Sequence, residues 1–382
     1  MYTPMVSNKE LVYHCFDTTI APGGGMETYL ETLLQAQPAG VSDQIISCLQ
    51  ERDQSCYRLL HVHQQKLLWP LSGECPAVYT AHTHNAYCPS GTKFLRTCGT
   101  ACDRPKSTLG CLWGHLVDGC GSRRPGSILK GFQGSDRDLE TLKRLNVMTI
   151  AVSDYVHHQL LIHGLSPEQI VTVRNGIQMP AKTAIPLKKE IHQNRRILFV
   201  GRIVPYKGLE WLLNALPLTD TRIQLDIAGD GWDKPRMEQL AKKLGVSDRV
   251  TWHGWCNSEK IDSLYEQCFA LVFPSLWHEP AGLVTLEAYA RYRPVIASRL
   301  GGIPEYVSHE NTGLLVSAND TRELASAIAE LADNYLKARQ IGEQGRVYLL
   351  NNFTLEHHIQ QLQLVYEKAI QRFHSGNCLP SI

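Results

Sequence analysis

The stretch FALVFPSLWHEPAGLVTLEAYARYRPVIAS, residues 269–298, contains two short apolar runs separated by a segment of helix length. The runs FALVFP and PVIAS are typical of buried strands, because they are short, apolar and bounded by proline. Pro280 suits the first turn of a helix between them. A strand, a helix and a second strand in this order predict a parallel βαβ unit.

The same rhythm continues on both sides of this stretch. The second half of the chain reads RILFVG, IQLDIAG, RVTWHG, FALVFP, PVIAS and GLLVS, and the first half reads LVYHCF, QIISCL, AVYTAH, VMTIAV and IVTV. Helical or loop segments separate these runs, so we predict an α/β protein with two parallel-sheet domains. The predicted domains are 1–180 and 196–354, joined by a polar, proline-containing linker at 181–195. Periodicity predicts a last helix at 355–373, which could pack on either domain.

Composition excludes several classes of protein. A chain of 382 residues exceeds one ordinary core, and 43% hydrophobic with 20% charged residues describes a globular protein. The formal net charge of +1 provides no general attraction to nucleic acid. The chain starts without the pattern of a signal peptide, and no apolar run reaches the roughly 18 residues of a membrane span. We therefore expect a cytoplasmic location and no nucleic-acid partner.

The opening stretch holds two glutamates, Glu279 and Glu287, eight positions apart around a glycine. Glu279 follows FALVFP, and open parallel sheets bind ligands beyond the carboxyl ends of their strands. Backbone N–H groups at the start of a helix suit a phosphate, and here they belong to Gly282, Leu283 and Val284. Glu287 lies roughly 7 Å further along, a plausible distance from diphosphate to ribose in a nucleotide sugar. The alternative is a solvated helix start with a glutamate favoured by the helix dipole.

Cations and glycines follow the first strand of each predicted domain. Arg202 and Lys207 follow RILFVG at the mouth of the same crevice, where positive charge would stabilise a leaving diphosphate. Gly24 and Gly25 follow LVYHCF, so that backbone from the first domain could approach phosphate. Taken singly, the cations are equally compatible with an exposed surface and the glycines with a tight turn.

Together these motifs resemble those of the retaining glycosyltransferases of family 4, nearly end to end. GGGMETYL is similar to the family's N-terminal glycine loop, VGRIVPYKG to its Arg/Lys segment, EPAGLVTLEA to its paired-glutamate motif, and GGIPE with NTGLLV to the loops that follow. The resemblance implies the GT-B fold, in which two Rossmann-like domains face a central cleft. It also implies that the last helix, NFTLEHHIQQLQLVYEKAI, crosses back to the N-terminal domain.

The resemblance further implies roles for the site residues. Arg202 and Lys207 would hold the diphosphate, Glu279 the transferred sugar and Glu287 the ribose. Family members generally need no catalytic metal and retain the anomeric configuration without a protein nucleophile, because the departing phosphate helps to deprotonate the acceptor. We therefore expect a UDP- or GDP-linked donor and no catalytic metal.

One histidine is predicted to be catalytic. AVYTAHTHN places His82 at the carboxyl end of a strand, where the family has a histidine close to the donor sugar. His84 is the alternative, because residues two apart share one side of an extended segment. The HVH sequence at 61–63 also lies at a strand end, where we expect a packing or loop role.

Five of the 12 cysteines lie between Cys88 and Cys120, in an insert larger than many family members carry. A long chain without an export signal favours reduced thiols or a metal over disulfides. Four thiolates would enclose a structural zinc ion and hold a loop with little core of its own. We assign these to Cys88, Cys102, Cys111 and Cys120, with Cys98 as the alternate ligand and His82, His84 and His115 as substitutes. An iron–sulfur cluster, a redox disulfide and free buried cysteines stay open.

The sequence thus favours a retaining hexosyltransferase that acts on a glycan or lipid-diphosphate acceptor in bacterial surface polysaccharide biosynthesis. Residues 88–131 carry seven Lys/Arg against two Asp/Glu, a net +5 that would suit peripheral contact with the inner face of a membrane. A sugar-phosphate or disaccharide synthase of the same fold and a non-catalytic scaffold protein are the alternatives. A nicotinamide dehydrogenase is disfavoured, because neither domain has a G-x-G-x-x-G turn after its first strand.

Overall fold

The computed structural model describes residues 12–15, 29–30, 32–33, 58–69, 71–180 and 183–375. The chain divides into two compact units. The first comprises residues 1–92, 104–178 and 355–382, and the second comprises 93–103 and 179–354. The predicted donor-binding residues Gly24 and Gly25 and the predicted strand QIISCL lie outside the described residues.

The first unit contains a parallel sheet. The strands up to residue 172 are β1 (Val12–Cys15), β2 (Leu59–Val62), β3 (Ala77–Ala81), β4 (Phe94–Leu95), β5 (Thr100–Ala101), β6 (Met148–Ala151) and β7 (Ile170–Thr172). Five of them pair in the order β1-β2-β3-β6-β7, whereas β4 and β5 form a separate antiparallel hairpin. The predicted strands LVYHCF, AVYTAH, VMTIAV and IVTV are confirmed as β1, β3, β6 and β7. The helices described in this part of the chain are α1 (Thr108–Leu116), α2 (Pro125–Arg144) and α3 (Asp154–Ile162).

The second unit contains a six-stranded parallel sheet. Its strands are β8 (Arg196–Val200), β9 (Gln224–Ala228), β10 (Val250–Gly254), β11 (Ala270–Phe273), β12 (Val295–Ser298) and β13 (Gly313–Val316). They pair in the order β10-β9-β8-β11-β12-β13, and all six predicted strands of this half are confirmed. The helices are α4 (Lys189–Gln193), α5 (Leu209–Ala215), α6 (Lys234–Lys243), α7 (Ser258–Gln267), α8 (Leu283–Tyr289), α9 (Ile303–Tyr306), α10 (Thr321–Asp333) and α11 (Tyr335–Asn352).

The opening stretch forms the predicted βαβ unit, in which β11, α8 and β12 follow one another. All residues of β11 and β12 are buried, because helices cover both faces of a parallel sheet. The core of this unit is formed by apolar residues such as Ile197, Leu225 and Val272, with Leu212 and Ile328 from the covering helices. The continuous apolar runs of the sequence are therefore the interior of the sheet.

The assignment of the whole insert 88–120 to the N-terminal domain needs correction. Lys93–Asp103, which carries the β4–β5 hairpin, belongs to the second unit. Phe94 is buried in the core of that unit, and its ring lies 6.2 Å from the ring of Tyr206. Arg96 stacks over Trp232, with 5.2 Å from its guanidinium carbon to the ring centroid. Apolar burial and a cation–π contact thus fix the hairpin to the second unit.

The predicted linker at 181–195 is also partly folded. Residues 179–195 belong to the second unit, where Leu187 is buried in the core and α4 begins at Lys189. The terminal helix α12 (Leu355–His374) belongs instead to the first unit. Its residues Leu362, Val365 and Tyr366 join the core that surrounds the first sheet. The chain therefore returns to its first unit at the end.

The lengths and compositions of the helices bear on membrane insertion. Among the residues that the structure describes, no helix combines the length and the apolar character that crossing a bilayer requires.

Candidate active site

The second sheet has a topological switch point between β8 and β11. The chain runs outward from β8 through β9 to β10 on one side, and from β11 through β12 to β13 on the other. Neighbouring loops diverge where the strand order reverses, and ligands of open α/β sheets bind in the crevice that this opens at the carboxyl ends of the strands. Lys207 follows β8 and Glu279 follows β11, so both predicted residues lie at this point.

Lys207 and Glu279 form an ion pair. The Lys207 Nζ atom lies 2.6 Å from Oε1 of Glu279, and the Ser275 hydroxyl donates to the same oxygen at 2.8 Å. Glu279 is only 4% exposed. A buried carboxylate needs such partners, because an unpaired charge inside a protein is costly. The ammonium group has three donor hydrogens, so its pairing with Glu279 leaves donors for a second anion.

Aromatic side chains surround this cation. The Nζ atom of Lys207 lies 5.4 Å from the ring centroid of Trp277 and 5.8 Å from that of Phe273. Tyr206 accepts a hydrogen bond from Arg202 Nη2 at 3.1 Å, and its ring lies 5.1 Å from that of Trp277. Burial raises the pKa of Tyr206, so its hydroxyl stays neutral at pH 7. Arg202 and Lys207 are thus both held in this region, as the sequence predicts.

Two glycines allow the loops of the site to approach closely. Gly208 has a φ of 74°, and a Cβ there would lie 1.7 Å from the carbonyl oxygen of Pro274. Gly301 has a φ of 60°, and a Cβ there would lie 2.7 Å from the backbone nitrogen of Glu279. Only glycine combines this backbone conformation with this proximity. The glycines therefore determine where Lys207 and Glu279 can be placed.

The other glutamate lies on α8. Gly282 is the N-cap of this helix, Leu283 and Val284 form its first turn, and Glu287 follows one turn later. Burial raises the pKa of Glu287, and the Arg291 guanidinium opposes this effect. Glu287 also shares a hydrogen bond with Tyr265. Burial, Tyr265 and Arg291 thus define the surroundings of this carboxyl group, and its contact with a ribose hydroxyl stays a prediction.

Sequence reasoning missed His278, which precedes Glu279. Its Nε2 atom lies 2.8 Å from Oδ1 of Asp103, at the end of the hairpin segment. Burial lowers the pKa of His278, whereas the nearby Asp103 raises it. The sequence does show that His278 is an ionisable residue beside Glu279. It does not show the pairing, because Asp103 lies 175 positions earlier and belongs to no motif.

In the first unit, the two candidate histidines have different hydrogen-bond partners. His82 follows β3, and its Nε2 atom lies 3.1 Å from Nδ1 of His63. His63 in turn bonds through Nε2 to Nδ1 of His14 at 2.9 Å. His84 is buried elsewhere, where its Nδ1 atom bonds to the Tyr87 hydroxyl at 2.7 Å. His82 alone of the two belongs to this chain of imidazoles.

The imidazoles form a buried network of neutral rings. His61 lies opposite His14 in the sheet and bonds to the hydroxyl groups of Tyr366 and Thr80, each at 2.7 Å. Burial lowers the pKa of His14 to about 4 and that of His82 to about 3. Two neighbouring strands contain a histidine near the carboxyl end and a third is followed by His82, but the sequence did not reveal the contacts among these residues.

Metal-binding potential is confined to one place among the described residues. His14, His61 and His63 offer ligand atoms that lie within 4.8 Å of one another, and no other group of three or more possible ligands meets this distance in the described part of the chain. Hydrogen bonds already engage both ring nitrogens of His61 and of His63. Neutral imidazoles are ligands for zinc and similar ions, but an ion here would have to replace hydrogen bonds of His61 and His63.

The structure does not gather the predicted zinc ligands of the first unit. Cys88, Cys111 and Cys120 do not form a ligand group, and none of the described cysteines forms a disulfide. Cys102 belongs to the second unit together with the alternate ligand Cys98. His115, a substitute ligand, bonds instead to the Ser122 carbonyl at 3.0 Å. A zinc ion at these cysteines therefore stays a prediction.

Solved structures share this architecture over almost the whole chain. HepE from Anabaena in complex with UDP and glucose has a TM-score of 0.71 at 17% identity, and the match covers 94% of this chain and 99% of HepE. Sucrose-phosphate synthase from Thermosynechococcus elongatus has a TM-score of 0.69 at 20% identity, and the match covers 95% of this chain and 100% of that protein. The chain has the α/β GT-B fold with two parallel-sheet domains.

Sequence relatives identify the family. The model of the family "Glycosyl transferases group 1" matches residues 182–348. Alpha-maltose-1-phosphate synthase of Mycolicibacterium smegmatis is 31% identical over 262 residues, which is 63% of this chain and 67% of that relative. The chain belongs to the glycosyltransferase group 1 family.

Two further relatives carry glycosyltransferase names. The uncharacterized glycosyltransferase MJ1607 of Methanocaldococcus jannaschii is 30% identical over 61% of this chain and 62% of the relative. D-inositol 3-phosphate glycosyltransferase of Mycobacteroides abscessus is 33% identical over 54% of this chain and 48% of the relative. The matched part of the chain thus spans about half to two thirds of the curated relatives.

Proposed function

We propose that this protein is a retaining family 4 glycosyltransferase that moves a hexose from a UDP- or GDP-linked sugar to a glycan or lipid-diphosphate acceptor. The proposal includes a cytoplasmic location and a role in bacterial surface polysaccharide biosynthesis. The buried ion pair of Lys207 and Glu279 at the switch point of the second sheet carries this proposal. The HepE complexes with UDP and with UDP-glucose support the choice of a nucleotide sugar as donor.

The chemistry of transfer suits this pair. Negative charge develops on the diphosphate as the bond to the sugar breaks, and a preorganised cation stabilises it. Lys207, assisted by Arg202, supplies this charge. Glu279 accepts hydrogen bonds from the hexose hydroxyls, and Glu287 accepts them from the ribose. Gly282, Leu283 and Val284 contribute backbone that approaches the diphosphate. The assignment of Gly24 and Gly25 to the donor stays a prediction from the sequence.

In this proposal the reaction proceeds without a catalytic metal or a protein nucleophile. The departing phosphate oxygen takes the proton of the acceptor hydroxyl, and Lys207 compensates the charge of the leaving group. His82 is assigned to the donor sugar, as the family resemblance implies. Two observations support this role of His82: it follows β3, and its hydrogen bond with His63 restrains the imidazole.

A second candidate function differs from the first in the class of acceptor. One relative is a maltose-1-phosphate synthase and one structural neighbour is a sucrose-phosphate synthase, so a sugar-phosphate or disaccharide synthase is the second candidate. The two candidates share the donor side and differ only in the hydroxyl group that attacks. A scaffold protein would have no need of the buried Lys207–Glu279 pair.

The deciding experiment measures release of UDP or GDP from a panel of nucleotide sugars with glycan, lipid-diphosphate and sugar-phosphate acceptors. The Lys207→Ala variant should lose about 100-fold or more of the release rate, because a charge-stabilising group is removed. Exposed Lys242 in α6 provides the control, and Lys242→Ala should retain the wild-type rate. Full release by folded Lys207→Ala protein would refute the proposal.

A structural zinc ion at Cys88, Cys102, Cys111 and Cys120 also belongs to the proposal. Elemental analysis of protein purified without added metal should find one zinc per chain, and the Cys111→Ser variant should lower that content. Zinc retained in Cys111→Ser protein but lost in His61→Phe protein would place the ion at the histidine cluster instead. Transfer that continues in EDTA would agree with the absence of a catalytic metal.

A further inference from the structure

Helix α1 turns its apolar side toward solvent. Leu109, Leu112, Trp113, Leu116 and Val117 recur at helical spacing and form one stripe, which we call the α1 stripe. Their exposed fractions are 82%, 38%, 59%, 49% and 44%. An amphipathic helix ordinarily buries such a stripe against the core, so its exposure here requires another environment.

The inward side of α1 is small and polar, and it is fixed in place. Gly114 and His115 are its buried residues, and His115 bonds to the Ser122 carbonyl at 3.0 Å. A Cβ at Gly114 would lie 3.1 Å from Cys120 Sγ, and one at Gly121 would lie 2.7 Å from His115 Cε1. The glycines therefore allow a close approach beneath the helix, which packs with Gly114 and His115 inward and the α1 stripe outward.

Hydrogen bonds hold the ends of α1 in this orientation. Ser107 caps the helix by accepting from the Gly110 amide at 3.3 Å. Arg104 donates to the Gly110 carbonyl at 3.0 Å and forms an ion pair with Asp118 just beyond the helix. The α1 stripe is thus exposed on a helix whose two ends are fixed by hydrogen bonds.

Three exposed cations follow α1 in the sequence. Arg123, Arg124 and Lys130 are exposed, and none of them has an ion-pair partner within the described part of the chain. Residues 119–135 contain these three cations and no Asp or Glu. Leu129, 58% exposed, lies among them at the start of α2. This segment combines apolar surface with uncompensated positive charge.

We propose that the α1 stripe inserts into the interfacial region of a lipid bilayer, while Arg123, Arg124 and Lys130 bind anionic headgroups. A short helix with leucines and a tryptophan on one side suits the boundary between headgroups and acyl chains. Each cation close to an anionic surface adds attraction that salt weakens. A second copy of this chain fits less well, because a two-fold contact through this surface would bring both sets of cations into one interface, where like charges repel.

The test uses the full chain and does not depend on sugar transfer. Vesicles of phosphatidylcholine alone are compared with vesicles that also contain phosphatidylglycerol, and bound protein is measured by sedimentation. The wild-type protein should bind the anionic vesicles at least about ten-fold better than the neutral ones, and added salt should weaken this binding. Absence of binding to anionic vesicles overturns the proposal.

Variants separate the two parts of the surface. Leu109→Ser/Trp113→Ser should lower vesicle binding about ten-fold or more, because it removes the most exposed apolar side chains of the stripe. Arg123→Gln/Arg124→Gln/Lys130→Gln should abolish the preference for anionic vesicles. The matched control, Trp255→Ser/Leu336→Ser, changes side chains that are 63% and 73% exposed in the second unit and should bind like the wild type.

All of these residues lie at the surface, so thermal unfolding should change little in any of the variants. Equal binding by the stripe variant and the control contradicts insertion of α1. Sedimentation equilibrium tests the alternative that a second copy of this chain, and not lipid, covers the α1 stripe. A concentration-dependent dimer that is lost in Leu109→Ser/Trp113→Ser, without vesicle binding by the wild type, would assign the stripe to a second copy and overturn the proposal.

Discussion

The Nζ atom of Lys207 lies 2.6 Å from Oε1 of Glu279, although the two residues are 72 positions apart in the chain. They meet because β8 and β11 are neighbours in the second sheet, and each residue follows the carboxyl end of its strand. The pair combines a cation for a leaving group with a carboxylate for sugar hydroxyls, and its burial makes it sensitive to the loss of either member.

Single and double substitutions should show this coupling. Lys207→Met and Glu279→Gln each leave one charge buried without its partner, so each should lower the free energy of unfolding by about 2–4 kcal/mol. Lys207→Met/Glu279→Gln removes both charges and should cost clearly less than the sum of the single variants. Urea denaturation measures all of these values. Additive effects would show that the two side chains do not interact.

The approach of the site loops should make Gly208 intolerant of substitution. Gly208→Ala introduces a Cβ 1.7 Å from the Pro274 oxygen, and φ is also positive. We expect a loss of about 3 kcal/mol or more in stability. Gly245 has a φ of 68° with nothing within 4 Å of an added Cβ, so Gly245→Ala should cost only about 1 kcal/mol. Equal melting temperatures of the two variants would contradict the contact.

The histidine network should make stability depend on pH. An unfolded histidine titrates near pH 6.5, whereas burial lowers the pKa of His14 to about 4, of His358 to about 4 and of His82 to about 3. Below pH 6.5 the unfolded chain therefore binds more protons than the folded one. Stability should be fully present above pH 6.5 and should fall by about 1.4 kcal/mol per pH unit for each such histidine as the pH decreases toward 4.

Urea unfolding at several pH values between 7 and 4 tests this dependence. His14→Gln removes one titrating group and should reduce the slope by about one proton. Exposed His374, at the end of α12, provides the control, and His374→Gln should leave the slope unchanged. A slope in the His14→Gln variant equal to that of the wild type would contradict a folded pKa near 4.

The hairpin of the insert should contribute to the stability of the second unit. Phe94→Ala removes a buried ring from the core and should cost about 3–5 kcal/mol. Leu218→Ala changes a side chain that is exposed, so it should have little effect. Differential scanning calorimetry measures both. If Phe94→Ala melts like the wild type, the hairpin does not share the core of the second unit.

The sequence predicted the strands of the described residues well, because a strand buried on both faces reads as a continuous apolar run. It also predicted Arg202, Lys207, Glu279 and Glu287 as one region, since the first three follow such runs and Glu287 lies on the next helix. The hairpin around Phe94 could not be predicted. Its two strands have two residues each, too few for any period, and one phenylalanine does not show which core receives it.

Helix α1 shows a different limit of sequence reasoning. Its apolar residues have the spacing that predicts an amphipathic helix, but period alone does not tell whether the apolar side faces the core or the solvent. The contacts of Gly114 and His115 determine this orientation. The histidine network is similarly hidden, because His14, His63 and His82 become neighbours only through the order of strands in the sheet.

The discontinuous path of the chain has a consequence for synthesis on the ribosome. The core of the second unit includes Phe94, which is translated long before residues 179–354, while the core of the first unit includes Leu362 and Tyr366 from α12. The apolar surface that α12 covers therefore stays exposed until residues 355–374 have emerged from the ribosome. We expect nascent chains that stop before residue 355 to require a chaperone.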